Sequence, residues 1–94
     1  MAVRLVVTVK ALPGKGGDYL NAFLPVAKET QKEPGCEQYE LFRSAEDPDR
    51  LVLLERWSTP EDLEVHMGVL RARGASPASA FRSEDPPTLE RYVN

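Results

Sequence analysis

The segment Leu51–Trp57, LVLLERW, sets the tightest limit on what this chain can become. Read as a strand, it places Leu51, Leu53, Glu55 and Trp57 on one side and Val52, Leu54 and Arg56 on the other. Successive side chains of a strand point to opposite faces, so apolar residues on both sides demand cover on both sides. The remaining sequence supplies helices for one face only. The uncovered face is expected to pack against a second copy of the same sheet, as a homodimer. Size argues the same way. A chain of 94 residues buries roughly 60–65% of its unfolded surface and gains from association.

The rest of the plan follows from periodicity. In residues 3–11 the positions Val3, Leu5, Val7, Val9 and Ala11 are all apolar, which predicts a strand with one face on a core. Pro13-Gly14 and Gly16-Gly17 form a turn, and Asp18 is expected to cap a helix running to about Glu33. Leu20, Phe23, Leu24 and Ala27 mark its buried stripe, with a kink or tightened turn at Pro25. Pro34-Gly35 stops it. Glu37–Arg43 reads as a second strand, joined to the third through a hairpin loop rich in turn formers at Asp47, Pro48 and Asp49. Thr59 as N-cap, Pro60 in the first turn and the acids Glu61 and Asp62 open a second helix. Its stripe is Leu63, His66, Met67 and Leu70. From Arg71 to Asp85 the pattern fades, and Gly74 and Pro77 leave a broken helix or a long loop as alternatives. Leu89–Val93 closes the chain as a short strand. The order β-α-β-β-α-β is that of a ferredoxin-like α+β fold with a four-stranded antiparallel sheet, taken as a single domain over residues 1–94.

Several functions are excluded by what the chain lacks. Fifteen acids against twelve bases give a net charge of −3, which argues against nucleic acid as a partner. The first strand carries no aromatic residue for stacking bases, unlike RNA-binding domains of the same element order. One cysteine, Cys36, and one histidine, His66, cannot make a zinc site or an internal disulfide. No apolar run approaches the ~18 residues of a membrane span, and a cytoplasmic location is expected.

A candidate site emerges from register. If the hairpin pairs Arg43 with Leu51, then Tyr39 faces Glu55 and Glu37 faces Trp57, all on one side of the sheet. The second helix would lay His66 over this patch. Aromatic walls with few polar groups resemble a small-molecule pocket. Each residue also has a plain structural role open to it. His66 on an apolar stripe is either a satisfied core histidine or a general base. Trp57 is either core or a platform for a ring. Tyr39 either bonds Glu55 or meets a ligand. A buried Glu55 must find a donor or accept a raised pKa, which makes it a second candidate base. Arg56 points to the other face and is expected to pair with Glu40. Cys36 reads as a small buried filler.

Taken in order, Pro13-Gly14, Glu33-Pro34-Gly35-Cys36, Tyr39, Glu55-Arg56-Trp57, His66, Pro86-Pro87 and Arg91-Tyr92 resemble the antibiotic biosynthesis monooxygenase family. The resemblance implies a dimeric α+β barrel with two sheets back to back and one pocket per subunit between sheet and helices. It also implies oxidation of hydroquinones or phenolic polycyclic aromatics by dioxygen with no flavin or metal cofactor. In the family's haem-degrading branch, a first-strand asparagine falls where this chain has Val7, which disfavours that activity and places Val7 in the substrate site.

The leading expectation is thus a cofactor-independent monooxygenase. His66 or Glu55 would take a phenolic proton, and Trp57, Tyr39 and Val7 would hold the ring. The alternatives are a non-catalytic small-molecule-binding or stress-response dimer, and an isomerase of a small carbonyl compound.

Overall fold

The computed structural model describes residues 1–93; Asn94, the last residue of the expected domain, lies outside the described residues. The elements are β1 (Val3–Lys10), α1 (Gly16–Thr30), β2 (Cys36–Arg43), β3 (Arg50–Trp57), α2 (Pro60–Arg73), a 3-10 helix (Pro77–Phe81) and β4 (Thr88–Val93). The strands form one antiparallel sheet in the order β2-β3-β1-β4. The ferredoxin-like α+β order expected from the sequence is the one observed. No helix among the described residues is long and apolar enough to cross a membrane.

Alternation in β1 and β3 decides which face meets the helices. Val3, Leu5, Val9, Leu51, Leu53, Glu55 and Trp57 are buried, and their even-numbered neighbours Val6, Val52 and Leu54 are partly exposed. In a lone chain the second face stays open, with Phe42 and Tyr92 each about half exposed.

Five local expectations are corrected. Asp18 does not cap α1. The N-terminus is held instead from the β2–β3 loop, where the Asp49 carboxylate accepts the Gly14 and Gly16 N–H groups at 2.9 and 3.0 Å. Gly16 sits so close to the Pro48 carbonyl that a Cβ there would collide with it. The buried stripe of α1 is rotated by one residue, to Tyr19, Phe23, Ala27 and Thr30, and Leu24 is 45% exposed. The two aromatic rings stack at 6.1 Å, and turning Leu24 outward lets both lie under the sheet. α1 also ends at Thr30, short of Glu33.

In β2 a bulge between Cys36 and Gln38 pairs Cys36, not Glu37, with Trp57. Glu37, freed from that register, bonds Arg56 at 2.8 Å, so Arg56 pairs there rather than with Glu40. The remaining hairpin register is as expected: Arg43 opposite Leu51, Leu41 opposite Leu53, and Tyr39 opposite Glu55.

The stretch that carried no periodic signal is ordered by its backbone. α2 closes on Gly74, whose φ of 79° few other residues adopt and whose N–H bonds the Leu70 carbonyl. The following 3-10 helix packs on α1 with Ala78 wholly buried. Bonds from Leu12 N to Phe81 O and from Ser83 N to Lys10 O tie it to the end of β1.

Candidate functional site

Three elements bring the candidate residues together. β2 and β3 place Tyr39 beside Glu55, and Trp57 follows on the same face. Thr59 starts α2 as expected, its side chain accepting from Asp62 N at 3.1 Å, and so sets the rotation that turns Leu63 and His66 inward. The turn after α1 is docked on this same corner. Gly35 has a φ of 78°, its carbonyl accepts from Ser58 N at 2.9 Å, and a Cβ on it would collide with the Asp62 carboxylate. Pinning Gly35 there brings Glu33 to His66.

The imidazole of His66 is completely buried. It stacks on Trp57 with centroids 4.5 Å apart and meets Tyr39 edge-on at 5.4 Å. Nδ1 lies 2.9 Å from Glu33 Oε1. A carboxylate there only accepts, so Nδ1 carries a proton, and in the neutral form of the ring the lone pair falls on Nε2. Nε2 has no hydrogen-bond partner among the described residues, and Glu55 Oε1 stands 3.9 Å from it. Glu55 does not bond Tyr39; its Oε1 accepts from Trp57 Nε1 at 3.0 Å. Burial pushes the Glu55 carboxyl above the usual range, against the opposing pull of the Trp57 N–H and of His66. Cys36, partly covered, has its thiol raised by burial, as fits a filler rather than a nucleophile.

The expected chamber, with Trp57 and His66 in its walls, is therefore packed solid by the chain's own rings. The open space lies on the other side of Tyr39. A partly open cavity of about 310 Å³ is lined by Tyr19, Phe23 and Val26 of α1, Tyr39 of β2, the end of α2 at Leu70 and Arg73, and the 3-10 region with Ser79 and Arg82. The Phe23 ring stacks on Tyr39 at 5.9 Å, so one aromatic row runs from Tyr19 through Phe23 to Tyr39. Of the expected site residues only Tyr39 reaches this space. His66, Glu55 and Trp57 sit behind it, and Val7 lies mid-sheet between Leu53 and Leu89. A shallower depression of about 450 Å³ along Gln31 and Cys36–Glu40 opens on the sheet edge and is lined mainly by polar side chains.

Sequence reasoning missed Glu33, Tyr19, Arg73 and Arg82. Tyr19 was legible, standing at i−4 from Phe23 on an equally regular stripe. The two arginines fall in or beside the segment without periodicity. Glu33 reaches His66 only through the Gly35 turn.

Comparison with known proteins agrees with this architecture. A search of curated proteins returns no match. Among solved structures, a conserved protein from Methanosarcina mazei superposes with a TM-score of 0.79 at 24% identity, covering 98% of this chain and 91% of its own. PA3566 from Pseudomonas aeruginosa gives 0.79 at 21% identity, with 99% and 93% covered. Rv0793 from Mycobacterium tuberculosis gives 0.77 at 24%, with 100% and 95% covered. At such identities the likeness speaks for the fold. The sequence model of one family, antibiotic biosynthesis monooxygenase, matches residues 2–72, which take in β1, the whole of the Tyr39–Glu55–Trp57 hairpin and His66. The chain belongs to the antibiotic biosynthesis monooxygenase family.

Proposed function

We propose that the cavity under α1 is the substrate site and that the chain oxidises a phenolic or hydroquinone ring there with dioxygen, without a cofactor. The observation that carries this reading is a wall of three aryl rings, Tyr19, Phe23 and Tyr39, flanked by the guanidinium groups of Arg73 and Arg82. At about 310 Å³ the space lies at the lower end of the small-molecule range, ~300–1,000 Å³. That fits a one- or two-ring substrate better than a large polycycle.

The chemistry needs a phenolate. Two neighbouring cations favour the ionised form of a phenol, and the aryl walls hold it flat and away from water. The phenolate passes one electron to dioxygen, and the resulting phenoxyl radical and superoxide combine at a ring carbon. Protonation and loss of water from the hydroperoxide leave the quinone, so one dioxygen is consumed for each phenol and one water is released. The proton acceptor in this proposal is Nε2 of His66, with Glu33 holding the ring by Nδ1 and Glu55 as the neighbouring carboxyl. A buried nitrogen with a free lone pair is costly to keep, about 1–3 kcal/mol, and a base role would account for it. Transfer to that atom requires the Tyr39 ring, which divides cavity from imidazole, to turn aside. Trp57 then acts from behind, as the surface on which His66 lies.

The test is oxygen uptake. Protein freed of metal by chelation is given a panel of hydroquinones and naphthols in an oxygen electrode. Consumption above each compound's autoxidation is expected, reduced by about 10²–10⁴-fold in His66→Ala. A loss below about threefold in a folded variant removes His66 from the mechanism.

A second reading has its own observation. With His66 and Glu55 both sealed from the cavity, the pocket would serve as a binding site alone. Ligand binding with no oxygen uptake would favour it. Turnover without oxygen dependence would favour an isomerase.

The assembly proposed with this function is a homodimer in which the open sheet faces of two copies cover one another. Its support is the partly exposed apolar row of Val6, Val52 and Leu54.

A further inference from the structure

We infer that the ligand of the cavity is an anion, an aromatic ring bearing a carboxylate, recognised by Arg82 together with Arg73. This rests on the cavity being the ligand site and adds the charge class of what enters it. The chain as a whole is acidic, at a net charge of −3. The cavity lining is the reverse: two guanidinium groups and no carboxylate. Arg73 is partly engaged, since it lies 3.9 Å from Glu33 Oε2. Arg82 has no carboxylate within 4 Å among the described residues. An unpaired guanidinium beside an aryl-walled space presents a planar fork that matches both oxygens of a carboxylate. A neutral ring would leave that fork solvated and unused, and a cationic one would be repelled by it.

The opposing field is small. The C-terminal end of α2 reaches the rim at Arg73 and Gly74 and carries roughly half a negative charge. Arg82 carries a full positive charge against it, Arg73 brings one shared with Glu33, and the Leu70 carbonyl there is already bonded to Gly74 N–H. Of the two cavity phenols, Tyr19 registers the cationic field: burial raises its hydroxyl and Arg82 draws it back. Tyr39, deeper in the site, is raised by burial and then by Glu55, with Arg73 lowering it and Glu33 adding to the rise.

The test compares two probes that share a hydroxynaphthalene ring and differ by one carboxylate, 1-hydroxy-2-naphthoate and 1-naphthol. Their affinities are measured by titration calorimetry at pH 7. The carboxylate is expected to bind about tenfold more tightly at low salt, an advantage that shrinks as added salt shortens the Debye length from ~30 Å at 0.01 M towards ~3 Å at 1 M. Arg82→Gln is expected to bring the ratio of the two affinities towards one. Equal binding of both probes to the unaltered protein overturns the charge assignment while leaving the cavity as the ligand site. A carboxylate advantage that survives in the double variant Arg73→Gln, Arg82→Gln overturns it equally. If neither probe binds, the cavity is not a ligand site and both readings fall. The probe comparison needs no variant, so it decides the matter even if the arginine variants do not fold.

Discussion

Glu33 holds His66 by Nδ1 at 2.9 Å, while the other nitrogen of the same ring, equally buried, has no hydrogen-bond partner among the described residues, with Glu55 Oε1 standing off at 3.9 Å. One side of the imidazole is anchored and the other is idle. Glu33→Ala leaves Nδ1 without an acceptor in a dry site, which is expected to cost about 1–3 kcal/mol of stability. Glu33→Gln keeps a carbonyl oxygen in the same place and should cost less than about 1 kcal/mol. Urea denaturation of the two variants checks this. Equal losses would mean that Glu33 acts through packing rather than by holding the ring.

Glu55 gives a prediction in pH. Its folded pKa is raised, chiefly by burial, so in the window above the ordinary carboxylate value the native state holds a proton that the unfolded state has released. Stability therefore falls as pH rises from about 4.3 through the raised folded value. Glu55→Gln can still accept from Trp57 Nε1 and removes the titration. The variant is expected to gain on the unaltered chain as pH rises through that window and to match it below. Melting temperatures from pH 3 to 8 provide the measurement, and parallel profiles would refute the burial argument.

Asp49 has the opposite sign. The Gly14 and Gly16 N–H groups hold its carboxyl below the ordinary value, so it contributes stability above the unfolded pKa of about 3.9. That contribution is lost as pH falls through the lowered folded value. Asp49→Ala should thus be less stable than the unaltered chain at neutral pH and approach it in acid. The same series of melts reads this out. A difference that persists unchanged in strong acid would show that the loss comes from the loop rather than from the charge.

What the sequence made legible was set by short-range rules. Alternation in β1 and β3, the Thr59-Pro60 start of α2 and the hairpin register from Tyr39 to Arg43 all depend on residues close in the chain, and all stand as read. The residues that escaped notice depend on distant contacts. Asp49 reaches α1 across 33 positions, and Glu33 reaches His66 across the same interval, with no local pattern to announce either. A single-residue bulge then moved Glu37 off the face assigned to it, because register is lost once one strand gains a residue. The candidate residues lie apart from the open cavity for a related reason. Register placed Tyr39, Glu55 and Trp57 on one face, over which α2 lays His66, but only packing shows whether rings on one face enclose space or fill it. Here they fill it, and the cavity opens where α1 presents Tyr19 beside the expected Phe23, with Leu24 turned outward.

The open sheet face supplies the last prediction. Val6 and Leu54 are direct neighbours across β1 and β3, both partly exposed and both pointing away from the helices. If two copies meet there, an arginine at position 54 places a charge without a partner in a dry interface, at a cost of about 3–5 kcal/mol. At tenfold per 1.4 kcal/mol, the dimer dissociation constant rises by roughly two to four orders of magnitude. Leu54→Arg is therefore expected to elute and scatter light as a single chain at concentrations where the unaltered protein is a dimer. Leu24→Arg is the control, since Leu24 is already 45% exposed on α1, on the opposite side of the sheet, and should leave the dimer intact. A dimer that tolerates Leu54→Arg would have to use another surface. The strongest rival is β4, all six of whose residues are exposed, Leu89 and Val93 among them. An edge strand left this bare is itself open to pairing with another chain, so a Leu89→Lys variant separates the two modes of association.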